Sequence, residues 1–325
     1  MSRGLDHIVH AVRDLDRAGE LYERLGFTVG ARNRHPWGTH NRIVQFSGVF
    51  IELVMFVEPD KLCVDGFSVL FAARNRDFAA AHDGLSMLIL ESRDAAGDAQ
   101  QFQRTDISAS PVLHFERDGQ RPDGSRVKVG FSLAFAADRG APEIGFATCQ
   151  QHFPENFWNP NYQQHPNGAR SVSNITIVAA DPAAHQAMLL AFTGAAEAKS
   201  EENGYAIPLS RGSISVMTPR GFATRLGVEG QEPGSGACLC SHQFCGAGLE
   251  RHSHMRSSGR HFRAGARRGP GRPAGKRPRR NPAVHPCRLT LRAARRMVAP
   301  AWQINLPMRP SVPALCASAM RCHSR

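Results

Sequence analysis

The chain has 325 residues and a formal net charge of +12, which at first suggests a nucleic-acid partner. The excess charge is confined to residues 229–325, which hold 18 of the 40 basic and 3 of the 28 acidic residues. The first 228 residues are slightly acidic, have two cysteines, and lack an apolar segment of about 18–20 residues that could span a bilayer. Two distant cysteines exclude a disulfide framework, and we expect a cytoplasmic protein without a signal peptide.

The first predicted unit has the order β-α-β-β-β and covers about residues 5–57. It starts with the apolar strand "LDHIVHAV", and "RDLDRAGELYERLGF" follows with its apolar residues on one helical face. Asp14 is the expected helix N-cap, and Gly26 suits the position after the last turn. "FTVGARNRHPWG" predicts a strand and loop, and "NRIVQFSGVFIELVMF" predicts two strands joined by a tight turn.

The same order recurs twice. A second unit is predicted at about 85–150 and a third, incomplete one at 171–225. When the three units are aligned on the helix caps Asp14, Asp94 and Asp181, Met87 and Asn174 occupy the positions equivalent to His7. Because one such unit cannot bury both faces of its sheet, the repeat predicts an α+β fold in which units pair.

Residues 229–325 break this pattern. From "GQEPGSGACLCSHQFCG" onward no helical or strand period is sustained, and residues 229–325 include 17 arginines and 10 prolines. Three explanations stay open: a disordered basic tail, a nucleic-acid-binding arm carrying "RGPGRPAGKRPRRNP", or the out-of-frame product of GC-rich DNA. The spacing of Cys238, Cys240 and Cys245 matches no standard zinc pattern.

Several motifs in order carry a resemblance to a known family. "LDHIVHAVRDLDRAGELYERLGF", "GTHNRIVQF", "VFIELV" and "CQQHFPENFWNPNYQQHPNGA" resemble the glyoxalase-like branch of the vicinal-oxygen-chelate superfamily, over about residues 4–225. The resemblance implies paired units whose sheets curl into a cup around a small-molecule site, with the glyoxalase-like domain at 4–170. Many members hold a divalent metal there, as a Lewis acid on adjacent substrate oxygens.

The metal pattern of the family falls only partly on this sequence. The resemblance places its first-strand histidine on His7 and its fourth-strand glutamate on Glu52, whereas Met87 and Asn174 occupy the repeated histidine position. His152 is the expected third ligand, completing a two-histidine, one-carboxylate set for Zn²⁺, Fe²⁺, Mn²⁺ or Ni²⁺. In that interpretation Glu52 and His152 are also the residues that move a proton.

Each assignment has a structural alternative. His7 could be a satisfied, half-buried histidine, and Glu52 could pair with Arg42 instead of a cation. Strand alternation puts Leu5, His7, Val9 and Ala11 on one face and His10 on the other, where a structural role is expected. Cys149 is expected to be a small strand residue.

The residues expected to contact substrate are Asn41, Trp158 and His165. Three functions compete: a metal-dependent lyase, isomerase or dioxygenase of glyoxalase type acting on a small oxygenated molecule, a metal-free protein that binds such a molecule, and nucleic-acid association through the basic tail. The expected partner is a small-molecule substrate, with a homodimer as the candidate assembly and no membrane partner.

Overall fold

The first β-α-β-β-β unit builds half of a curled sheet. The computed structural model describes residues 2–63, 65–120, 124–227, 236–246, 251–256 and 263–266. The elements of the first unit are β1 (Leu5–Ala11), α1 (Leu15–Arg24), β2 (Asn33–Arg34), β3 (Thr39–Phe46) and β4 (Val49–Phe56). The Asp14 carboxylate accepts the Arg17 backbone N–H, and Gly26, at φ +80°, turns the chain out of the helix, so both predicted helix ends form.

A helical segment that the sequence analysis did not assign follows β4. A wide helical turn at Ser68–Ala73 runs directly into α2 (Arg74–Ala81). Phe71, Ala72 and Ala79 of this segment are buried, and Phe71 and Ala72 belong to an apolar cluster with strand residues. The segment therefore covers part of the sheet.

The second unit completes the first sheet. Its elements are β5 (Gly84–Glu91), α3 (Ala95–Arg104), β6 (Leu113–Gln120), β7 (Arg126–Ala136) and β8 (Gly145–Gln151). The strand order is β2-β3-β4-β1-β5-β8-β7-β6. The two units meet where β1 pairs antiparallel with β5, and within the units β1 is parallel to β4 and β5 is parallel to β8. The predicted α+β fold of paired β-α-β-β-β units is thus confirmed.

The third unit starts a second sheet. After a short connection through α4 (Pro154–Phe157), its elements are β9 (Ser171–Ala179), α5 (Gln186–Thr193), β10 (Lys199–Glu201), β11 (Gly204–Pro208), β12 (Ser213–Met217) and α6 (Pro219–Leu226). Asp181 accepts the Ala183 N–H at the start of the helical segment, as Asp94 accepts Gly97 N–H before α3. The three caps expected from the repeat therefore all form.

Three more strands extend the second sheet, and they correct one expectation. They are β13 (Ala237–Cys245), β14 (Arg251–Arg256) and β15 (Arg263–Ala266), and the sheet order is β10-β11-β12-β9-β13-β14-β15. The prediction that no strand follows residue 229 is wrong for "ACLCSHQFC", which pairs antiparallel with β9. Two register shifts interrupt the period of two, so the pairing is not visible in the sequence. The stretch "RGPGRPAGKRPRRNP", on which the nucleic-acid-binding alternative depends, lies outside the described residues.

One apolar cluster is shared by both sheets. It contains Ile8, Phe102, Ile177, Phe192 and Ile214, from strands of each sheet and from helices between them. We call the face of each sheet turned away from this shared core its open face. Among the described residues, no helix is both long and apolar enough to cross a membrane.

Candidate functional site

A cavity of about 70 Å³ lies on the open face of the first sheet. Its wall is largely aromatic, and the rings come from strands, from the loop before β3, from the segment before α2 and from α4: Trp37, Phe50, Phe67, Phe71, Phe115, Phe131 and Phe157. Five polar or charged side chains also line it: His7, His35, Asn41, Glu52 and Arg117. Few polar groups in an apolar wall are typical of a small-molecule site.

Glu52 is the centre of the polar group. It lies on β4, and its register partners are Val9 on the parallel strand β1 and Ile43 on β3. The side-chain amide of Asn41 donates to Glu52 Oε1 at 2.5 Å. The Nε2 atoms of His7 and His35 lie 3.9 Å from Oε2 and 3.6 Å from Oε1, respectively. One carboxylate therefore receives three polar groups from three segments of the first unit.

A β-bulge orients His7. The register of β1 against β5 shifts between Leu5 and His7, which leaves Asp6 as the extra residue. The Asp6 carboxylate meets His7 Nδ1 at 2.5 Å and also accepts the Gln151 side-chain amide at 2.9 Å. Asp6 thus fixes the imidazole with Nε2 towards Glu52.

The bulge also corrects the predicted alternation. Leu5 packs in the shared core with Ile8, not on the open face with His7. The extra residue reverses the side-chain direction at this end of the strand. Val9 lies in the open-face cluster, and His10 Nδ1 contacts the Tyr22 hydroxyl at 3.0 Å on the helix side.

Burial controls the charge in the cavity. Burial raises the pKa of Glu52, while His7, the Asn41 hydrogen bond and Arg117 act in the opposite direction. Burial, with a smaller contribution from Arg117, lowers the pKa of His35 to about 3, so His35 is neutral at pH 7. A raised pKa makes a carboxyl group a better proton acceptor than an ordinary carboxylate.

Two residues of the cavity, His35 and Arg117, were not predicted from the sequence. His35 stacks on Trp37 with ring centroids 4.8 Å apart, and its Nδ1 lies 2.8 Å from the Thr39 hydroxyl. Both His35 and Trp37 belong to the loop "RNRHPWG", where an imidazole next to an aromatic residue was the available signal. Arg117 had none, because only the pairing of β6 with β7 brings it to this face.

His152 is not brought together with His7 and Glu52. Its Nε2 lies 2.8 Å from the Ser132 hydroxyl, which also lies 3.0 Å from His114 Nδ1. Ser132 alternates with Phe131 and Leu133, which line the cavity, so this exposed histidine group lies on the opposite face of the sheet. The expected set of His7, Glu52 and His152 is not assembled.

The three expected substrate contacts are placed differently from one another. Asn41 lies in the cavity, where its side-chain amide donates to Glu52. Trp158 packs edge-on against Phe50, with ring centroids 5.9 Å apart, and lines a neighbouring cleft. His165 accepts the Thr28 N–H at Nδ1 and donates from Nε2 to the Gln45 carbonyl, so it ties the segment after α4 to the first unit.

The alternative partner for Glu52 is also excluded. Arg42 donates to the Glu23 carboxylate at 2.8 Å and to the Gly30 carbonyl at 3.0 Å. It neighbours Ile43 on β3, so alternation points it to the helix side while Ile43 lines the cavity. Glu52 therefore accepts one hydrogen bond, from Asn41, and has the two histidine nitrogens within 4 Å.

The residues present fit a divalent metal only in part. His7 has the carboxylate partner on its second nitrogen that metal-binding histidines usually have, and its Nε2 faces Glu52. By register, the second unit has Met87 and Ala147 at the positions of His7 and Glu52. In the part of the chain that the structure describes, no group of three His, Cys, Asp or Glu side chains is placed to hold a metal ion.

Comparison with known proteins gives a family and a fold. The sequence model of the family described as "Glyoxalase-like domain" matches residues 5–193, more than half of the chain. A hypothetical protein from Staphylococcus aureus, 15% identical, superposes with a TM-score of 0.54 over 66% of this chain and 86% of its own. At that identity the likeness shows the fold alone.

Other solved structures match over a shorter part. A variant of the methylmalonyl-CoA epimerase from Streptomyces coelicolor is 16% identical, with a TM-score of 0.33 over 47% of this chain and 96% of its own. Methylmalonyl-CoA epimerase from Mycobacterium tuberculosis is 19% identical, with a TM-score of 0.32 over 48% of this chain and 92% of its own. No curated protein matches the chain.

Proposed function

The chain belongs to the glyoxalase-like domain family, and from this premise we propose that its aromatic cavity binds a small oxygenated molecule on which Glu52 performs proton transfer. The observation that carries the proposal is the convergence of Glu52, His7 and Asn41 in one apolar cavity. Such groups would leave buried hydrogen-bonding capacity unused unless a polar ligand met them.

The proposed roles follow from the contacts. Asn41 holds Oε1 of Glu52, which leaves Oε2 on the side of His7. Oε2 removes a proton from an acidic C–H group of the ligand or gives one to a ligand oxygen, and His7, oriented by Asp6, is the second polar group beside Oε2. The aromatic wall excludes water, which strengthens these polar interactions. The reaction class is a proton shift next to a carbonyl, as in an isomerase or lyase.

Binding is tested with hydroxyacetone as the probe, by ligand-observed NMR on the full chain. Glu52→Gln keeps the shape but removes the ionisable group, and we expect affinity to fall about tenfold or more. Glu20→Gln is the matched control, since Glu20 is exposed on α1 and forms an ion pair with Arg24. Equal affinity of the Glu52 variant and the wild type would overturn the proposal.

Proton transfer is tested in D₂O with the same probe. We expect the protein to accelerate exchange of the C–H protons beside the carbonyl, and Glu52→Gln to remove most of that acceleration. Binding without any acceleration would leave the metal-free binding protein as the function.

Metal dependence stays a prediction of the sequence. His7 and Glu52 are the two expected ligands that converge, 3.9 Å apart. Metal analysis after exposure to Zn²⁺, Fe²⁺, Mn²⁺ and Ni²⁺ separates the possibilities: one bound ion per chain, lost in His7→Asn, would establish the metal site. Cytoplasmic localisation and a homodimer are likewise proposals.

A further inference from the structure

Arg117 is a half-buried cation with an unused guanidinium. It lines the cavity and also a larger neighbouring cleft of about 680 Å³, which we call the outer cleft and which shares Ile43, Arg117 and Phe157 with the cavity. Among the described residues, its guanidinium makes no hydrogen bond and has no carboxylate oxygen within 4 Å. Its interaction with Glu52 is a longer-range electrostatic attraction without direct contact.

A guanidinium in this position favours an anion as its partner. Arginine does not deprotonate in proteins, and a buried charge without a hydrogen-bonding partner is costly. Burial lowers the pKa of Arg117, while Glu52 opposes this effect. The planar fork of N–H donors matches a carboxylate, to which it can make two parallel hydrogen bonds.

The surroundings limit what the anion can be attached to. The cavity volume of about 70 Å³ is smaller than the roughly 150 Å³ that holds a benzene ring. Phe115, Phe131 and Leu133 form an apolar wall beside Arg117 and offer no second cation. A single negative charge on a short carbon chain fits this position better than a ring or a polyanion.

We propose that the ligand is a short organic monocarboxylate, with its carboxylate on Arg117 and an oxygen-bearing carbon directed towards Glu52 and His7. This inference rests on the proposed function and adds the substrate class. The Arg117 position between the two spaces lets the carboxylate enter from the outer cleft while the oxygenated end occupies the cavity.

The test compares a charged ligand with a neutral one. Pyruvate and hydroxyacetone are titrated at constant ionic strength against the full-length wild type, Arg117→Gln and Arg117→Lys, with ligand-observed NMR as the readout. Arg126→Gln is the matched control, because Arg126 is exposed on β7, the strand that pairs with the strand of Arg117.

We expect pyruvate to bind more tightly than hydroxyacetone in the wild type. Arg117→Gln should weaken pyruvate about tenfold or more and hydroxyacetone less than about twofold, and Arg117→Lys should lie between. The Arg126 variant should match the wild type.

Two results overturn the inference in different ways. If hydroxyacetone binds through Glu52 but pyruvate has no advantage, or keeps its affinity in Arg117→Gln, the carboxylate assignment fails while the proposed function stands. If neither molecule binds the wild type, both fail. Thermal unfolding of each Arg117 variant shows that the fold is retained, and Arg117→Lys keeps the charge if the glutamine variant does not fold.

Discussion

The two sheets repeat one strand order but use their open faces differently. Aligning the helix caps makes Asn174 the equivalent of His7. Glu52 pairs with Val9 in the first sheet and Ser215 pairs with Thr176 in the second, so Ser215 is the equivalent of Glu52. In the second sheet the side-chain carbonyl of Asn174 accepts hydrogen bonds from the Ser213 and Ser215 hydroxyls, and its side-chain amide donates to the Thr176 hydroxyl. The first sheet has a carboxylate and an imidazole at the same positions. The difference in chemistry between the two faces therefore comes from the residues at these positions, because the strand order is the same in both.

The covers of the two faces differ as well. Phe222 of α6 packs into a small apolar cluster with Val178, Met217 and Cys240 of the second sheet. On the first sheet, Phe67 and Phe71 lie over the face but leave the cavity beneath them. Arg225 of α6 also donates to the Ser215 hydroxyl at 3.5 Å. The second sheet thus has hydroxyl and amide groups beneath a packed cover, and the first has a carboxylate in a hollow.

The largest expected effect comes from removing the two covers. Phe222 is 1% exposed in a filled cluster, so Phe222→Ala should lower the free energy of unfolding by about 3 kcal/mol. Phe67→Ala should cost about 1–2 kcal/mol, because one side of the ring already faces a cavity. Urea unfolding of the full chain measures both, and equal losses would contradict the difference between the faces.

The next effect concerns the buried histidine on the helix side of β1. Burial lowers the pKa of His10 from 6.5 to about 4, whereas the second sheet has Ile177 at the aligned position. The unfolded chain therefore binds a proton that the folded chain refuses, and stability falls as the pH drops from 6.5 to 4, by about 3 kcal/mol. Above pH 6.5 this contribution is fully retained.

The His10→Ile variant makes the first sheet resemble the second. In a Tyr22→Phe background, which removes the hydroxyl partner, it should flatten the loss of stability between pH 6.5 and 4, with the His35 contribution remaining. His152→Gln, at an exposed site, is the control. An unchanged slope in the His10 variant would show that this histidine does not control acid stability.

The smallest expected effect separates stability from function in the cavity. Burial raises the pKa of Glu52, so as the pH rises above about 4.5 this carboxyl group ionises in the unfolded chain before it ionises in the folded one. The ionisation favours the unfolded chain, and the folded state loses stability. Glu52→Gln should therefore be more stable than the wild type at pH 8 and nearly equal to it at pH 4. Thermal unfolding at both values checks this, and a less stable variant at pH 8 would contradict it.

The fold was largely predictable from the sequence. Asp14, Asp94 and Asp181 indicated three helix starts, and each caps its helical segment in the structure. The segment before α2 was missed, because its apolar residues keep no clear period where the wide turn joins the helix. Strand β13 was missed because its period is broken by register shifts.

The candidate site was predictable only within the first unit. His7, Asn41 and Glu52 stand on paired strands, so their order along the chain already implied proximity. His152 follows β8, and the direction of a side chain just beyond a strand is not fixed by alternation. Its contact with Ser132 turned it to the other face.

The sequence by itself determined the repeat, the caps and the pairing of units, because these depend on local periodicity and on apolar surface that must be buried. Only the tertiary structure decided which polar groups share the cavity. The bulge at Asp6 oriented His7, and long-range strand pairing brought Arg117 into the wall of the same cavity. Neither is encoded in a local pattern, since each depends on segments that meet only after the sheet has formed.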